Sequence, residues 1–188
     1  MNTATNRYST FGLTLHWLTA VLVVFAFSYG LEGSEARQYM PGKEFDRQLH
    51  ETLGLLVLVL AVIRIAWRAN TSAPAAVPMA RWMHITSKSV QGLLYLLLLA
   101  VPLTAVFATW LMGHPLDLLG GGTISPPLEK SHSLGHSIAD IHVFLGDAIL
   151  WVAGLHAVAA LYHHLILKDA VLASMTPSWL VRGKTGQD

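Results

Sequence analysis

The stretch IADIHVFLGDAILWVAGLHAVAALYHHLIL, residues 138–167, decides how the rest of the chain is read. It is almost wholly apolar, yet it holds His142, His156, His163 and His164. A polar ring taken out of water is unfavourable unless something binds it. Ionisable groups at membrane depth therefore point to a function.

Composition agrees with lipid as the solvent. Of 188 residues, 53% are hydrophobic and 12% charged, about half the charged fraction of a soluble domain. The net charge of +1 leaves no basic footprint for nucleic acid. With no cysteine, disulfides, thiolate zinc sites, iron–sulfur clusters and covalently attached c-type haem are excluded together. The length fits a single membrane domain over residues 1–188, with residues 178–188 expected to be a flexible tail.

A membrane helix needs about 20 apolar residues at about 1.5 Å each. Phe11 to Leu31, Ser89 to Leu116 and Ala148 to Leu167 contain no Asp, Glu, Lys or Arg. A fourth segment, Thr52 to Ile63, is an uncharged run of 12 that reaches spanning length with His50, Glu51 and Arg64; arginine stems snorkel and Trp67 is an interfacial anchor. The first run has one preceding Arg and no small-residue cleavage site after it, so it is expected to be retained rather than removed as a signal peptide. The expected fold is all-α, an integral-membrane four-helix transmembrane bundle. Pro102 should kink the third span, as bundles tolerate. No internal repeat is visible.

Charge sets the orientation. Arg7, Arg64, Arg68, Arg81, Lys88, Lys168, Arg182 and Lys184 fall on one side, eight in all, against four (Arg37, Lys43, Arg47, Lys130) on the other. The positive-inside rule then places the N and C termini in the cytoplasm. The outer side carries nine acids: Glu32, Glu35, Glu44, Asp46, Glu51, Asp117, Glu129, Asp140 and Asp147. RANTSAPAAVPMAR reads as a Pro-punctuated cytoplasmic loop, and GHPLDLLGGGTISPPLEKSHSLGHS as a longer outer one.

His142 and His156 are 14 residues apart, which returns to within about 40° of one helix face and separates them by about 21 Å. His16 lies in the cytoplasmic half of the first span and His50 opens the second at its outer end. Helix direction therefore matches His156 with His16 in depth, and His142 with His50. Two neutral imidazoles facing across a bundle are the axial ligands of a six-coordinate b-type haem, which needs no covalent attachment. Two non-covalent haem b groups are thus expected, with His16 and His156 on the inner iron and His50 and His142 on the outer. Gly54, Gly146 and Gly154 lie near these levels, where larger side chains would crowd a macrocycle. Polar residues also glue helices, but that explains a lone histidine better than two depth-matched pairs.

Arg64, 14 residues after His50, is expected to pair with an inner haem propionate or line a quinone pocket; a snorkelling anchor is the competing explanation. His163 is a candidate quinone-site residue beside the solvated His164. His132 and His136 could clasp a metal with Glu129, although a solvated loop is the simpler explanation. His84 and His114 read as interfacial. HETLG at 50–54 starts like a zincin motif, but Gly54 stands where the second His must be.

FGLTLHWLTA, LHETLGLLVLVLAVIRIAWR, LYLLLLAVPLTA, IH at 141–142, GLHAVAALYHHLILKD and MTP, in this order between Tyr8 and Pro177, resemble the bacterial cytochrome b561 family of four-helix, dihaem, quinone-linked membrane proteins. The resemblance implies the same histidine pairing and electron exchange with the ubiquinone pool at the bacterial inner membrane, by an electron-transfer protein or a quinone-linked oxidoreductase. Family members often have a His four residues before the Tyr of LY, where this chain has Gln91. Lys88, Gln91 and Tyr95 share a helical face with His84 and could form a rearranged polar pocket. The partner on the periplasmic face is open, and some relatives oxidise superoxide there. Rival readings are the membrane-anchor cytochrome subunit of a larger periplasmic oxidoreductase and a haem-free, histidine-lined metal or proton transporter.

Four basic against nine acidic residues on the outer side give a field that repels an anion. Any oxidation of superoxide at that face should accelerate with ionic strength, measured as haem reduction rate against salt. A steep fall with salt would overturn the repulsion argument.

Overall fold

In hydrocarbon a backbone has no water to bond, so a spanning segment satisfies its own N–H and C=O groups as a helix. The computed structural model describes residues 7–30, 39–72, 74 and 77–176. Among these it contains four helices long and apolar enough to cross a membrane. Helix α1 is Thr10–Gly30, α2 is Glu44–Asn70 and α3 is Arg81–Met112. Helix α4, His132–Tyr162, continues into a π-helical turn, His163–Leu167, and a one-turn helix α5, Val171–Ser174, follows. The expected tail at 178–188, and Glu32, Glu35, Arg37, Arg182 and Lys184, lie outside the described residues.

The helices outrun the uncharged segments that announce them. The run of 12 before Arg64 becomes a helix of 27 residues, because charges support its ends. Glu44 and Asp46 sit in its first turn and Arg68 in its last, where the helix dipole favours each sign. The third span ends at Met112 rather than Leu116, because Gly113 adopts φ 85° and caps the helix with its N–H on Trp110 O. The helix runs without a break through buried Pro102. Helix α4 begins at His132, 16 residues before the charge-free run that starts at Ala148, so His132 and His136, expected in the outer loop, are helical. Gly135 brings α4 against α3, since a Cβ there would lie 2.7 Å from Met112 Cγ and 3.2 Å from Ala108 O.

Side chains face outward on most of the surface. Trp151 is 76% and Phe144 70% exposed, as suits lipid-facing positions. Val57, Ala61, Leu97, Leu98 and Ile149 form one buried cluster, with further buried residues toward the ends, Leu13 and Leu15 on α1 and Ala108, Met112 and Leu116 near the loop end. Ile149 lies seven residues from both His142 and His156, and Val57 seven from both His50 and Arg64. The bundle is thus packed halfway between its two histidine levels.

The two ends differ. At the end where α1 starts and α4 finishes, called here the terminal end, Trp17 Nε1 donates to Met175 O at 2.8 Å and Tyr8 N to Ser174 O at 3.3 Å. At the opposite, loop end, strands β1, Leu116–Asp117, and β2, Thr123–Ile124, pair antiparallel across a turn in which Gly120 and Gly121 take φ 94° and 91°. Arg47 ties this hairpin to α2: its Nη1 donates to Glu51 at 3.2 Å and its Nη2 to Asp117 at 2.8 Å. Glu51 also accepts the Asp117 backbone N–H at 2.6 Å.

Arg47→Met leaves two largely buried carboxylates facing each other without a cation. It should destabilise the protein by about 3 kcal/mol, read as a lowered unfolding midpoint in detergent, with Glu51→Gln in the same background restoring part of the loss. An unchanged midpoint would show that the bridge does not hold the hairpin.

Candidate functional site

Four histidines from three helices meet in two pairs. The His50 and His142 rings have centroids 6.1 Å apart, and the His16 and His156 rings 6.5 Å. A metal–imidazole bond is about 2 Å and a ring centre lies about 1 Å behind its nitrogen, so two imidazoles on opposite sides of one metal have centres about 6 Å apart. Both pairs have that separation. His50 starts α2 at the loop end and faces α4, while His16 on α1 faces α4 at the terminal end; these are the pairs that depth predicts.

Second partners orient the loop-end rings. His50 Nδ1 donates to Ala26 O at 2.7 Å and His142 Nδ1 to Val101 O at 2.8 Å. Each bond sets the neutral tautomer whose Nε2 has a free lone pair, as in metal sites where a carbonyl holds the other ring nitrogen. Gly30 permits this placement, since a Cβ there would lie 2.7 Å from His50 Cε1. At the terminal end, His16 Nδ1 is buried with no hydrogen-bond partner among the described residues, a polar atom that calls for an absent group.

A cavity of about 610 Å³ lies at the loop-end pair, lined among others by His50, His142, Gly54, Gly146, Arg47 and Asp147. This volume is in the range of cofactor sites, about 300–1,000 Å³. A Cβ on Gly54, Gly146 or Gly154 would meet nothing within 4 Å, so these glycines leave room that the protein does not fill. Gly154 borders a lateral groove with Phe27, Asp147, Leu150 and Trp151.

Arg64 is half-buried, with its guanidinium 5.4 Å from the Tyr95 ring centroid. It lies 14 residues past His50 on α2, about 21 Å nearer the terminal end, which brings it to the level of the His16 and His156 pair. Gln91 bonds Ser87 Oγ at 3.0 Å and Lys88 is exposed; of the polar pocket expected with His84, the contact that forms is Arg64 with Tyr95. His114 stacks on Tyr39 with centroids 4.0 Å apart. Among the described residues no three His, Cys, Asp or Glu gather as a metal site, Glu129, His132 and His136 included.

His163 opens the π-helical turn, its Nδ1 2.5 Å from Asp169 Oδ2. Burial pushes the Asp169 carboxyl up, but the His163 ring and the Val171 N–H together outweigh it and hold the group below the usual carboxylate range. Sequence reading missed both Asp169 and Arg47: Arg47 entered only as a basic residue of the outer side, and Asp169 only as the last residue of GLHAVAALYHHLILKD. The carbonyls of Ala26 and Val101 leave no trace in sequence, because every residue has one.

The family model described as prokaryotic cytochrome b561 matches residues 7–178. The chain is 32% identical over 174 residues to a Yersinia pestis protein named probable superoxide oxidase CybB, covering 91% of this chain and 96% of that one. It is 33% identical over 174 residues to cytochrome b562 of Cereibacter sphaeroides, covering 89% and 94%. It is 26% identical over 170 residues to cytochrome b561 homolog 2 of Escherichia coli, covering 90% of each.

Gly146→Leu should fill space that is open in the protein alone. It is expected to lower the haem content while circular dichroism stays helical. Unchanged haem content would show that the cavity is not where the group sits.

Proposed function

The chain belongs to the prokaryotic cytochrome b561 family, as a multi-pass b-type cytochrome of electron transfer in the bacterial inner membrane, and we propose that it moves single electrons between ubiquinone at the terminal end and a one-electron partner at the loop end. The observation that carries this reading is the pair of facing imidazoles at each of two depths, 6.1 and 6.5 Å between ring centres. His50 and His142 would hold one haem b, and His16 and His156 a second. When bound, haem b supplies the one-electron chemistry.

The protein's own work is positioning and electrostatics. The Ala26 and Val101 carbonyls keep the loop-end rings in the tautomer that presents a lone pair. The packed layer of Val57, Leu97, Leu98 and Ile149 excludes water between the levels, while about 21 Å between them keeps both within reach of the two faces. Arg64 offers a cation at the terminal-end pair for a propionate or a quinone oxygen, and His163 stands at the same end of α4. The terminal end faces the cytoplasm by the positive-inside rule.

Superoxide is the small-molecule partner that the Yersinia pestis relative's name brings to the loop end. Two superoxide anions would each give one electron and leave as dioxygen, and one ubiquinone would take those two electrons with two protons from the cytoplasmic side. Two of the acids near that end, Glu51 and Asp117, are already engaged by Arg47.

A pyridine haemochrome count on purified protein should give about two b haems per chain. His16→Ala and His156→Ala should each lose one haem, and His50→Ala and His142→Ala the other. A colourless protein, or one haem indifferent to His50 and His142, would contradict the assignment.

A further inference from the structure

A π-helical turn ending in a left-handed residue is a costly way to finish a membrane helix. Helix α4 ends this way: five residues from His163 to Leu167 are π-helical and Lys168 takes φ 53°, a left-handed conformation unusual for a non-glycine. The reversal has one visible result. It turns the chain back so that Asp169 N donates to His163 O at 3.2 Å and Asp169 Oδ2 meets His163 Nδ1 at 2.5 Å. The second carboxylate oxygen accepts Val171 N–H at 3.0 Å, starting α5, and α5 in turn is followed by Met175, whose carbonyl takes Trp17 Nε1 beside His16. The whole arrangement sits at the end of the bundle that carries the His16 and His156 pair.

We infer that Asp169 is a positioning residue for proton exchange with ubiquinone at His163. The inference rests on the reading that a quinone reacts at this end. Oxidation of one ubiquinol releases two electrons and two protons, and the reverse reaction takes them up, so a group at the site must exchange protons as electrons pass. His163 can exchange at Nε2 because Asp169 engages Nδ1. The carboxylate also fixes the ring plane and supports the positive charge the ring carries while it holds a proton, the role a carboxylate plays behind a catalytic imidazole. The bond is part-buried, with 14% and 20% of the two side chains exposed, so water screens it weakly, while His164 next to it is exposed and the aqueous face is close. Asp169 touches no substrate in this scheme and acts through His163.

The test is the rate at which a short-chain ubiquinol analogue reduces the haem in detergent-purified protein, by stopped flow, for Asp169→Ser, His163→Gln and the double variant. Serine can still cap the Val171 N–H but does not reach the ring. Each single variant should slow reduction about tenfold or more, and the double variant should be no slower than His163→Gln, because residues acting as one unit are not additive. Asp169→Glu should recover part of the rate. Haem content and unfolding midpoint monitor the fold, and Asp169→Asn, whose amide oxygen can still accept the Val171 N–H while its uncharged NH2 takes the place of the oxygen facing His163, replaces serine if that protein does not accumulate. An unaltered rate in Asp169→Ser, or a double variant slower by the product of the two effects, would overturn the inference and leave Asp169 a helix cap. Failure of ubiquinol to reduce the haem of the unmodified protein is a different result; it overturns the quinone reading, and this inference with it.

Discussion

Burying an imidazole in hydrocarbon is costly unless its nitrogens are engaged, and at the loop end the bundle is organised around meeting that requirement. At the loop end one nitrogen of each ring is met by a backbone carbonyl from another helix, Ala26 of α1 for His50 and Val101 of α3 for His142. The other nitrogen faces a cavity. All four helices thereby converge on a single level: α2 and α4 bring the rings, α1 and α3 hold them. The remaining structure follows from keeping such levels open without losing the fold. Val57, Ala61, Leu97, Leu98 and Ile149 pack together midway between the levels, and the glycines are left where the space is.

The two ends carry different arrangements of charge. At the loop end, a guanidinium with two carboxylates pins a short hairpin over the cavity mouth, with Tyr39 on the face of Arg47, its guanidinium carbon 4.8 Å from the ring centroid. Such a cluster is rigid and mostly charge-compensated. At the terminal end the charges are spread out: Arg64 over Tyr95 beside one histidine pair, and Asp169 folded back on His163 by the π-helical turn. A one-electron partner needs only access to an edge, whereas a quinone needs protons as well as electrons. Under the proposed function the two ends differ in that sense.

Much of this was legible because lipid imposes severe rules. The 14-residue spacing of His142 and His156 fixes both face and depth on any continuous helix, and helix direction then selects His50 and His16 as their partners, the pairs observed. Four spans were legible for the same reason, although their limits were not: absence of charge marks the hydrocarbon segment, while the helix continues into the interface, so α4 begins at His132 and α2 outgrows its uncharged run of 12. The hairpin was hidden in a loop whose glycines signalled turns but no pairing. Partners made by backbone carbonyls cannot be read from residue types at all. Arg47 and Asp169 could have been flagged, the first for its place one turn before His50, the second for following HHLILK at a helix end, but their contacts depend on a hairpin 70 residues away and on a π-helical turn that no periodicity announces.

The proposed function depends on two metal centres held by the two ring pairs. Anomalous diffraction at the iron edge from crystals of the haem-loaded protein tests that most directly. The account predicts two iron peaks about 21 Å apart along the bundle, one between His50 and His142 and one between His16 and His156. A single iron, or irons away from these pairs, would contradict it.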